Sequence, residues 1–334
     1  MTGPGLEEDA ASPRWLALLR AGRAREVPDG AWRALTQGLW PGARFSTSQP
    51  IAGGLSTLLD RITAVKTDGE PVTAVVRRFQ PERGHGPEDA AGEVATLAVL
   101  AAHEAPAPRL LWSDPSGEVF GQPALAMSDL PGQPVAASLD ARGAALAGRL
   151  LAQLHRIPGT SMEHVPDPGT LETQVTAILS GSAPADDDML DRSGLHAAIE
   201  HGVRMVSGQD QTFLHDDFHP GNVMRHGDTA AVIDVTWSGR GDPGRDLGYC
   251  RLDLALTAVE GTVDAFLAGY RQAGGVVPED LWFYDLLGGL RCLPTPAHWL
   301  PAFHAQGRTD LTTHQVEARA RRFIADALER LEAR

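Results

Sequence analysis

His215-Asp216-Asp217-Phe218-His219-Pro220-Gly221-Asn222 is the stretch on which the reading of this chain turns. It holds two histidines four apart, two adjacent acids, and an asparagine directly after Pro-Gly. Asn222 is the only asparagine among 334 residues, and Lys66 the only lysine, so 28 of the 29 Lys+Arg are arginine. With its abundant Ala, Gly, Pro and Arg, this is the usage of a GC-rich bacterial genome, which accounts for the missing Lys and Asn without any appeal to function. A chain that avoids asparagine has nevertheless kept one inside its densest polar cluster. That points to a need for a side-chain amide oxygen at position 222.

Three chemistries fit such a cluster. A zinc site built on His215 and His219 would need a helix carrying both and a third ligand. Pro220-Gly221 argues against that helix, and no further His or Cys pair is evident. A polar turn between two strands suits Phe213-Leu214 before and Val223-Met224 after, but leaves Asp217 and Asn222 unexplained. The third is phosphoryl transfer. Moving a γ-phosphoryl group to a hydroxyl needs a carboxylate beside the acceptor, and oxygen ligands for Mg²⁺ from an amide and a second carboxylate. The kinase catalytic loop reads H-x-D-x-x-x-x-N, and His215, Asp217 and Asn222 fit that spacing without a gap. Residues 230–233 then read as a buried strand ending in Asp234, where the second metal-binding carboxylate belongs. Asp246 opens a helix, where an acid can cap it and brace the loop.

Composition bounds the rest. Apolar content of 43% is ample for a core, and two cysteines, Cys250 and Cys292, are too few for a disulfide framework or a Cys-rich zinc site. Residues 1–11 are acidic and small, unlike a secretory signal, and no apolar run approaches the ~20 residues of a membrane span. A cytoplasmic protein without a membrane partner is expected. A net charge of -14 argues against a nucleic-acid partner, whose phosphates need a basic face. It suits a small cationic substrate, and it also serves solubility.

Two short helices are expected at 15–19 and 31–39. Strands at 58–65 and 72–79 flank an Asp68-Gly69 turn. A helix over 87–103, ended by Pro106 and Pro108, precedes strands at 109–112 and 124–127. A connector at 128–132 leads to a helix over 139–155, with Leu146, Leu150, Leu151 and Leu154 on one side. Residues 160–210 are polar, helical in patches, and include a solvated acidic run at 186–188. From Asp246 onward the chain is again mostly helical. The fold class is α+β in two lobes: an N-terminal antiparallel-sheet lobe (1–128) and a larger, mainly helical C-terminal lobe (129–334).

With these pieces in order, the sequence resembles the aminoglycoside phosphotransferase family, small-molecule antibiotic kinases of the protein-kinase-like fold. Pro50-Ile51-Ala52-Gly53-Gly54-Leu55-Ser56 resembles its nucleotide loop, Val75-Val76-Arg77-Arg78-Phe79 its third strand, and Glu93-Val94-Ala95-Thr96-Leu97 its first-lobe helix. The stretch 127–132 resembles its hinge, and Leu151-Ala152-Gln153-Leu154-His155 a helix common in the family. The resemblance implies these roles. Asp217 orients and deprotonates the substrate hydroxyl; Asn222 and Asp234 hold Mg²⁺; Arg77, paired with Glu93, grips the phosphates of ATP or GTP. Gly53, Gly54 and Ser56 cover those phosphates, and the backbone from Met127 through Asp129 receives the purine. His215 is a loop brace.

Two departures stand out. Asp216 occupies a position usually Gly or Arg, and is expected to point away from the acceptor. Arg77 stands where lysine is usual; Lys66, just before the hairpin turn, is read as a surface residue and Arg78 as a solvated edge residue. The implied acceptor is a hydroxylated small molecule: an aminoglycoside, macrolide, nucleoside or peptide antibiotic, with choline- or homoserine-like alcohols as the metabolic alternative. A non-catalytic kinase-like binding protein is the third possibility. Asp242, Asp253 and Glu260 are acids that could meet an amine on the acceptor.

Overall fold

The computed structural model describes residues 27–51, 57–81, 84–165, 175–176, 192–206, 211–293 and 295–333. The helix expected at 15–19, the glycines Gly53 and Gly54 with Ser56, and the acidic run at 186–188 lie outside them. Internal contacts divide the chain into two compact units. One runs to Ala98 and resumes over Pro108–Leu130; the other takes Val99–Ala107 and everything from Pro131.

In the first unit, helix α1 (Asp29–Leu39) precedes strands β1 (Arg44–Pro50), β2 (Thr57–Val65) and β3 (Pro71–Phe79), and helix α2 (Pro87–Ala102) precedes β4 (Leu110–Asp114) and β5 (Ala124–Ser128). The five strands form one antiparallel sheet in the order β1-β2-β3-β5-β4. The turn between β2 and β3 closes as the Asp-Gly pair predicts: Asp68 accepts from the Glu70 N–H, and Gly69 takes a φ of 87° that a side chain would resist.

Alternation along β3 sorts its residues between two cores. Ala74 and Val76 pack with Trp32, Leu35, Ile62 and Ala126, under α1. Phe79 packs with Ala90, Leu125 and Met127, under α2, with Val75 against them. The same alternation places Arg77 on the α2 side and Arg78 on the Trp32 side. Arg78 is therefore not a solvated edge residue. It is 5% exposed, pairs with Asp60 at 2.8 Å, and lies 5.8 Å from the Trp32 ring centroid. The Arg-Arg pair reads as two surface residues only until the strand's two faces are both seen to be covered. Lys66 is exposed and paired with Glu70.

The second unit is mainly helical. Its helices are α3 (Ala141–Leu154), α4 (Arg192–Val206), α5 (Gly244–Thr257), α6 (Thr262–Gln272), α7 (Leu281–Cys292), α8 (Leu300–Ala305) and α9 (Thr313–Glu332). Helix α3 starts two residues later than its apolar periodicity suggests, because the Asp140 side chain caps it through the Gly143 N–H. Its seam with α6 is glycine on both sides. A Cβ on Gly148 would stand 2.0 Å from the Phe266 carbonyl oxygen, and one on Gly269 2.0 Å from that of Ala145. The two backbones touch, and no larger residue fits at either position.

Helix α7 lies between α5 and α9. Asp285, fully buried on α7, accepts from Arg251 of α5 at 3.0 Å and from Arg330 of α9 at 2.6 Å. Two small antiparallel sheets frame the loop that opened the sequence. Strand β7 (Thr212–Leu214) pairs with β10 (Gly239–Gly241), and β8 (Val223–His226) pairs with both β6 (Gln133–Pro134) and β9 (Thr229–Val232). No described helix is long and apolar enough to cross a membrane. Cys250 and Cys292 are free and buried.

Candidate active site

The loop from His215 to Asn222 joins β7 to β8 and is braced from beneath by one carboxylate. Asp246, fully buried in the first turn of α5, accepts from the backbone N–H groups of His215 and Asp216, both at 2.8 Å, and its Oδ2 lies 3.2 Å from His155 Nε2. Burial pushes the Asp246 carboxyl up, but the bonds from His155 and from the His215 backbone N–H more than offset this, and it lies below its ordinary range. The helix-capping role expected of Asp246 is not observed. Pro243 stands at the cap position, and Asp242 receives the Gly244 N–H at 2.7 Å.

Hydrogen bonds fix both loop imidazoles. His215 Nδ1 accepts from the Asp217 N–H at 3.3 Å, so its proton sits on Nε2, which donates to the Ile233 carbonyl at 3.0 Å. Both ring nitrogens are spent, and His215 is a brace rather than a base. His219 Nδ1 accepts from the Gly221 N–H at 3.1 Å. That leaves Nε2–H of His219 facing Asp217 Oδ2 at 3.9 Å. A helical His215/His219 zinc site is excluded: only a single turn at Pro220–Asn222 forms there. Among the described residues no three His, Cys, Asp or Glu side chains cluster as a metal site.

Asn222 is 7% exposed, and its Nδ2 donates to the Asp217 carbonyl at 3.0 Å and to Asp217 Oδ2 at 3.4 Å. The amide nitrogen thus ties Asp217 in place, and its Oδ1 is an oxygen that could serve as a cation ligand. Its carbonyl accepts from the Ile233 N–H at 2.9 Å, which carries the chain to Asp234. Strand β9 ends at Val232. Asp234 lies two residues beyond it, in the left-handed region at φ 59°, with Thr236 Oγ1 donating to its Oδ1 at 3.3 Å. An amide oxygen and one carboxylate form a hard, all-oxygen donor set with too few protein ligands for a closed cage. Mg²⁺ completes such a set with water and phosphate oxygens, so the residues present fit it.

Asp216, also left-handed at φ 63°, turns its carboxylate onto Arg245, both oxygens 2.8 Å from Nη2. Burial pushes the Asp216 carboxyl up, and the Arg245 charge pulls against it.

In the first unit, Arg77 Nη1 lies 3.1 Å from Glu93 Oε2, and Arg77 Nε donates to Thr57 Oγ1 at 3.1 Å. Both charged side chains are almost wholly buried, Arg77 at 4% and Glu93 at 1%. Arg77→Lys keeps the charge but loses the fork and the Thr57 bond, and is expected to cost about 1–2 kcal/mol, read as a lower thermal midpoint. Met127 lies in β5, 8% exposed. The Asp129 carboxylate is held by Arg61, Nε to Oδ2 at 2.7 Å and Nη2 to Oδ1 at 3.0 Å. Any contact of Asp129 with a nucleotide therefore falls to its backbone.

Three residues around Asp217 carried too little sequence signal to be given their places. The Tyr249 phenol stands beside the Asp217 carboxylate. Burial, with the Asp217 charge added, pushes this phenol well above its ordinary value, so it stays protonated. Arg291 stacks on Tyr249. Asp253, one turn after Tyr249 on α5, is 5% exposed, and its Oδ1 is sealed with no hydrogen-bond partner among the described residues. A period-3.6 pattern shows that α5 is buried, but not which of its polar residues reaches the loop.

Burial, against a partial offset from His219, pushes the Asp253 carboxyl from 3.8 to about 6. The folded state thus holds that proton more tightly than the unfolded chain. The resulting destabilisation is absent below pH 4, grows between pH 4 and 6, and is complete above. Asp253→Asn is expected to stabilise the protein by up to about 3 kcal/mol at pH 8 and to have almost no effect at pH 4, checked by denaturant melts at both.

A braced aspartate tied to an asparagine amide, with a second acid past the next hairpin, is the arrangement of a protein-kinase-like phosphotransferase. Residues 48–284 match the model of the phosphotransferase enzyme family, and the chain belongs to that family. Solved structures share the fold. A candidate aminoglycoside phosphotransferase from Ralstonia eutropha JMP134 superposes with a TM-score of 0.65 at 15% identity, over 92% of this chain and 99% of its own. An amicoumacin kinase in complex with AMP-PNP, Ca²⁺ and Ami gives 0.58 at 15% identity, over 92% and 96%. A choline/ethanolamine kinase family protein from Mesorhizobium loti gives 0.56 at 18% identity, over 95% of both chains.

Proposed function

We propose that this phosphotransferase moves the γ-phosphoryl group of ATP or GTP to a hydroxyl of a small natural product, with an antibiotic as the leading acceptor and resistance or self-protection as the outcome. The observation that carries this reading is the tie between Asn222 and Asp217. It orients a carboxylate and, on the other side of the same amide, keeps an oxygen for a cation. A binding module has no need of that pairing together with Asp234.

In this reading Asp217 receives the acceptor hydroxyl and takes its proton as the oxygen attacks phosphorus, with Tyr249 beside the carboxylate. Asn222 Oδ1 and Asp234 hold Mg²⁺, which when bound neutralises phosphate charge. Arg77, kept in place by Glu93, contacts the phosphates; Gly53, Gly54 and Ser56 cover them; the backbone from Met127 through Asp129 takes the purine. The protein works in the cytoplasm, where both nucleotides are plentiful.

A housekeeping alcohol is the second acceptor class, with the likeness to the choline/ethanolamine kinase family protein behind it. One panel decides between the two. Purified protein with Mg²⁺ and ATP or GTP is offered aminoglycosides, macrolides, nucleoside and peptide antibiotics, choline and homoserine, and nucleoside diphosphate release is followed. Turnover of an antibiotic, with drug tolerance on expression, is the expected result. Turnover of choline or homoserine without tolerance would move the assignment to metabolism.

A further inference from the structure

The acids offered by the sequence for an amine-bearing acceptor are poorly placed for one. Asp242 is spent on the Gly244 N–H, Glu260 sits in the exposed turn between α5 and α6, and the Asp253 Oδ1 is sealed. The exposed charge beside Asp217 is instead a cation. Arg291, in the last turn of α7, stacks its guanidinium carbon 4.7 Å from the centroid of the Tyr249 ring. Tyr249 is the residue on which the Asp217 charge acts, and it is wedged between His219 (ring centroids 6.5 Å apart) and Trp299 (5.7 Å).

The neighbouring arginines are consumed: Arg245 by Asp216 and Arg251 by Asp285. Arg291 is exposed and makes no hydrogen bond or ion pair among the described residues, although the charges of Asp216 and Asp217 both reach it. A helix C-terminus favours a cation in any protein, so that position alone calls for no ligand. The ring contact adds something more: it anchors the guanidinium over Tyr249 with its N–H donors unspent among the described residues. That is the pre-organised state in which arginine grips a carboxylate or phosphate through two parallel bonds.

We propose that Arg291 is the anion-recognition residue of the acceptor site, and that the acceptor bears a carboxylate or phosphate group in addition to its reacting hydroxyl. This rests on the phosphotransferase reading and narrows its substrate class. With Asp216 paired to Arg245, the group facing the acceptor's anion is the Arg291 fork, while Asp217 stays directed at the hydroxyl. Tyr249 is the shared neighbour, under the guanidinium of one and beside the carboxylate of the other.

The test uses a matched three-carbon set on the full chain: glycerate (anionic), glycerol (neutral) and serinol (cationic), with inorganic phosphate as a further probe. Each is titrated calorimetrically into wild type, Arg291→Gln, Arg291→Lys and the surface control Arg271→Gln. Saturable binding of glycerate and phosphate is expected, weakened about tenfold or more in Arg291→Gln, partly kept in Arg291→Lys, and unchanged in Arg271→Gln. Glycerate should bind more tightly than glycerol and serinol. Equal glycerate and phosphate binding by wild type and Arg291→Gln, or preference for serinol, would overturn the proposal.

A parallel titration with Mg·AMP-PNP separates the two sources of anion. Loss of affinity for the nucleotide alone in Arg291→Gln assigns the fork to the donor's phosphate and also overturns it. Failure of wild type to bind Mg·AMP-PNP would instead strike the phosphotransferase reading, leaving the anion result to be read from the small probes.

Discussion

Asp217→Asn is expected to lower phosphoryl transfer by about 10²–10⁴-fold, with nucleotide affinity largely retained. The substitution is close to isosteric, so what it removes is the ability to accept a proton and a negative charge that Tyr249 and Asn222 are arranged to hold. Asn222 Nδ2 already donates to the carboxylate, and the Tyr249 phenol stands within reach of its charge. An amide in its place would turn either its nitrogen or its oxygen toward them and satisfy them only in part. Nucleoside diphosphate release with the acceptor found by the panel gives the rate, and calorimetry with Mg·AMP-PNP gives the affinity. Near-normal turnover in the variant would remove Asp217 from the proton path and with it the mechanism.

Asp246→Asn should act on stability first and activity second. The native carboxylate accepts two buried backbone N–H groups and faces His155. The variant has one acceptor oxygen where two are needed, and sets an N–H₂ group against donors. A loss of about 3–5 kcal/mol is expected from denaturant midpoints, the usual range when one partner of a buried charged cluster is removed. The sign with pH follows from the lowered Asp246 carboxyl. Its stabilisation is full above the ordinary carboxylate value near pH 4 and is lost as pH falls through the lower folded value. The gap between wild type and variant should therefore be constant at neutral pH and close in acid. A constant gap down to strongly acidic pH would mean that Asp246 acts by shape rather than charge. Activity per folded molecule should fall too, because the His215 and Asp216 N–H groups set the start of the loop.

The parts of this molecule that follow local rules were legible from residues alone. The hairpin at Asp68-Gly69 was read from its turn chemistry, α3 from its leucine spacing, and the His215–Asn222 loop from its kinase-like spacing, to which the one asparagine of the chain drew attention. The Arg77–Glu93 pair was expected from the family resemblance, which set Arg77 rather than Arg78 at the lysine position of the third strand, and the two side chains do meet. What stayed hidden depends on tertiary placement. Arg78 looks like a surface residue until α1 is known to cover the second face of the sheet. Asp246 reads as a helix cap because sequence shows its distance from the helix start, not the loop lying across it. Tyr249, Asp253 and Arg291 come from two helices whose order along the chain says nothing about which polar residues converge on Asp217. The Asp216 side chain was expected to point away from the acceptor, and its carboxylate is turned onto Arg245.

The glycine seam between α3 and α6 has a consequence for anyone mapping this enzyme by random mutagenesis. Helix α3 ends at His155, whose Nδ1 lies 2.9 Å from the Tyr270 hydroxyl of α6 and whose Nε2 reaches Asp246. Spreading the seam by one methyl group at Gly148 would drag that imidazole away from the acid that shapes the loop. Inactive clones would then cluster at a position with no chemistry of its own. Sorting survivors by activity alone would draw a false second active site along the helix crossing, and only pairing each activity with a melting curve would erase it.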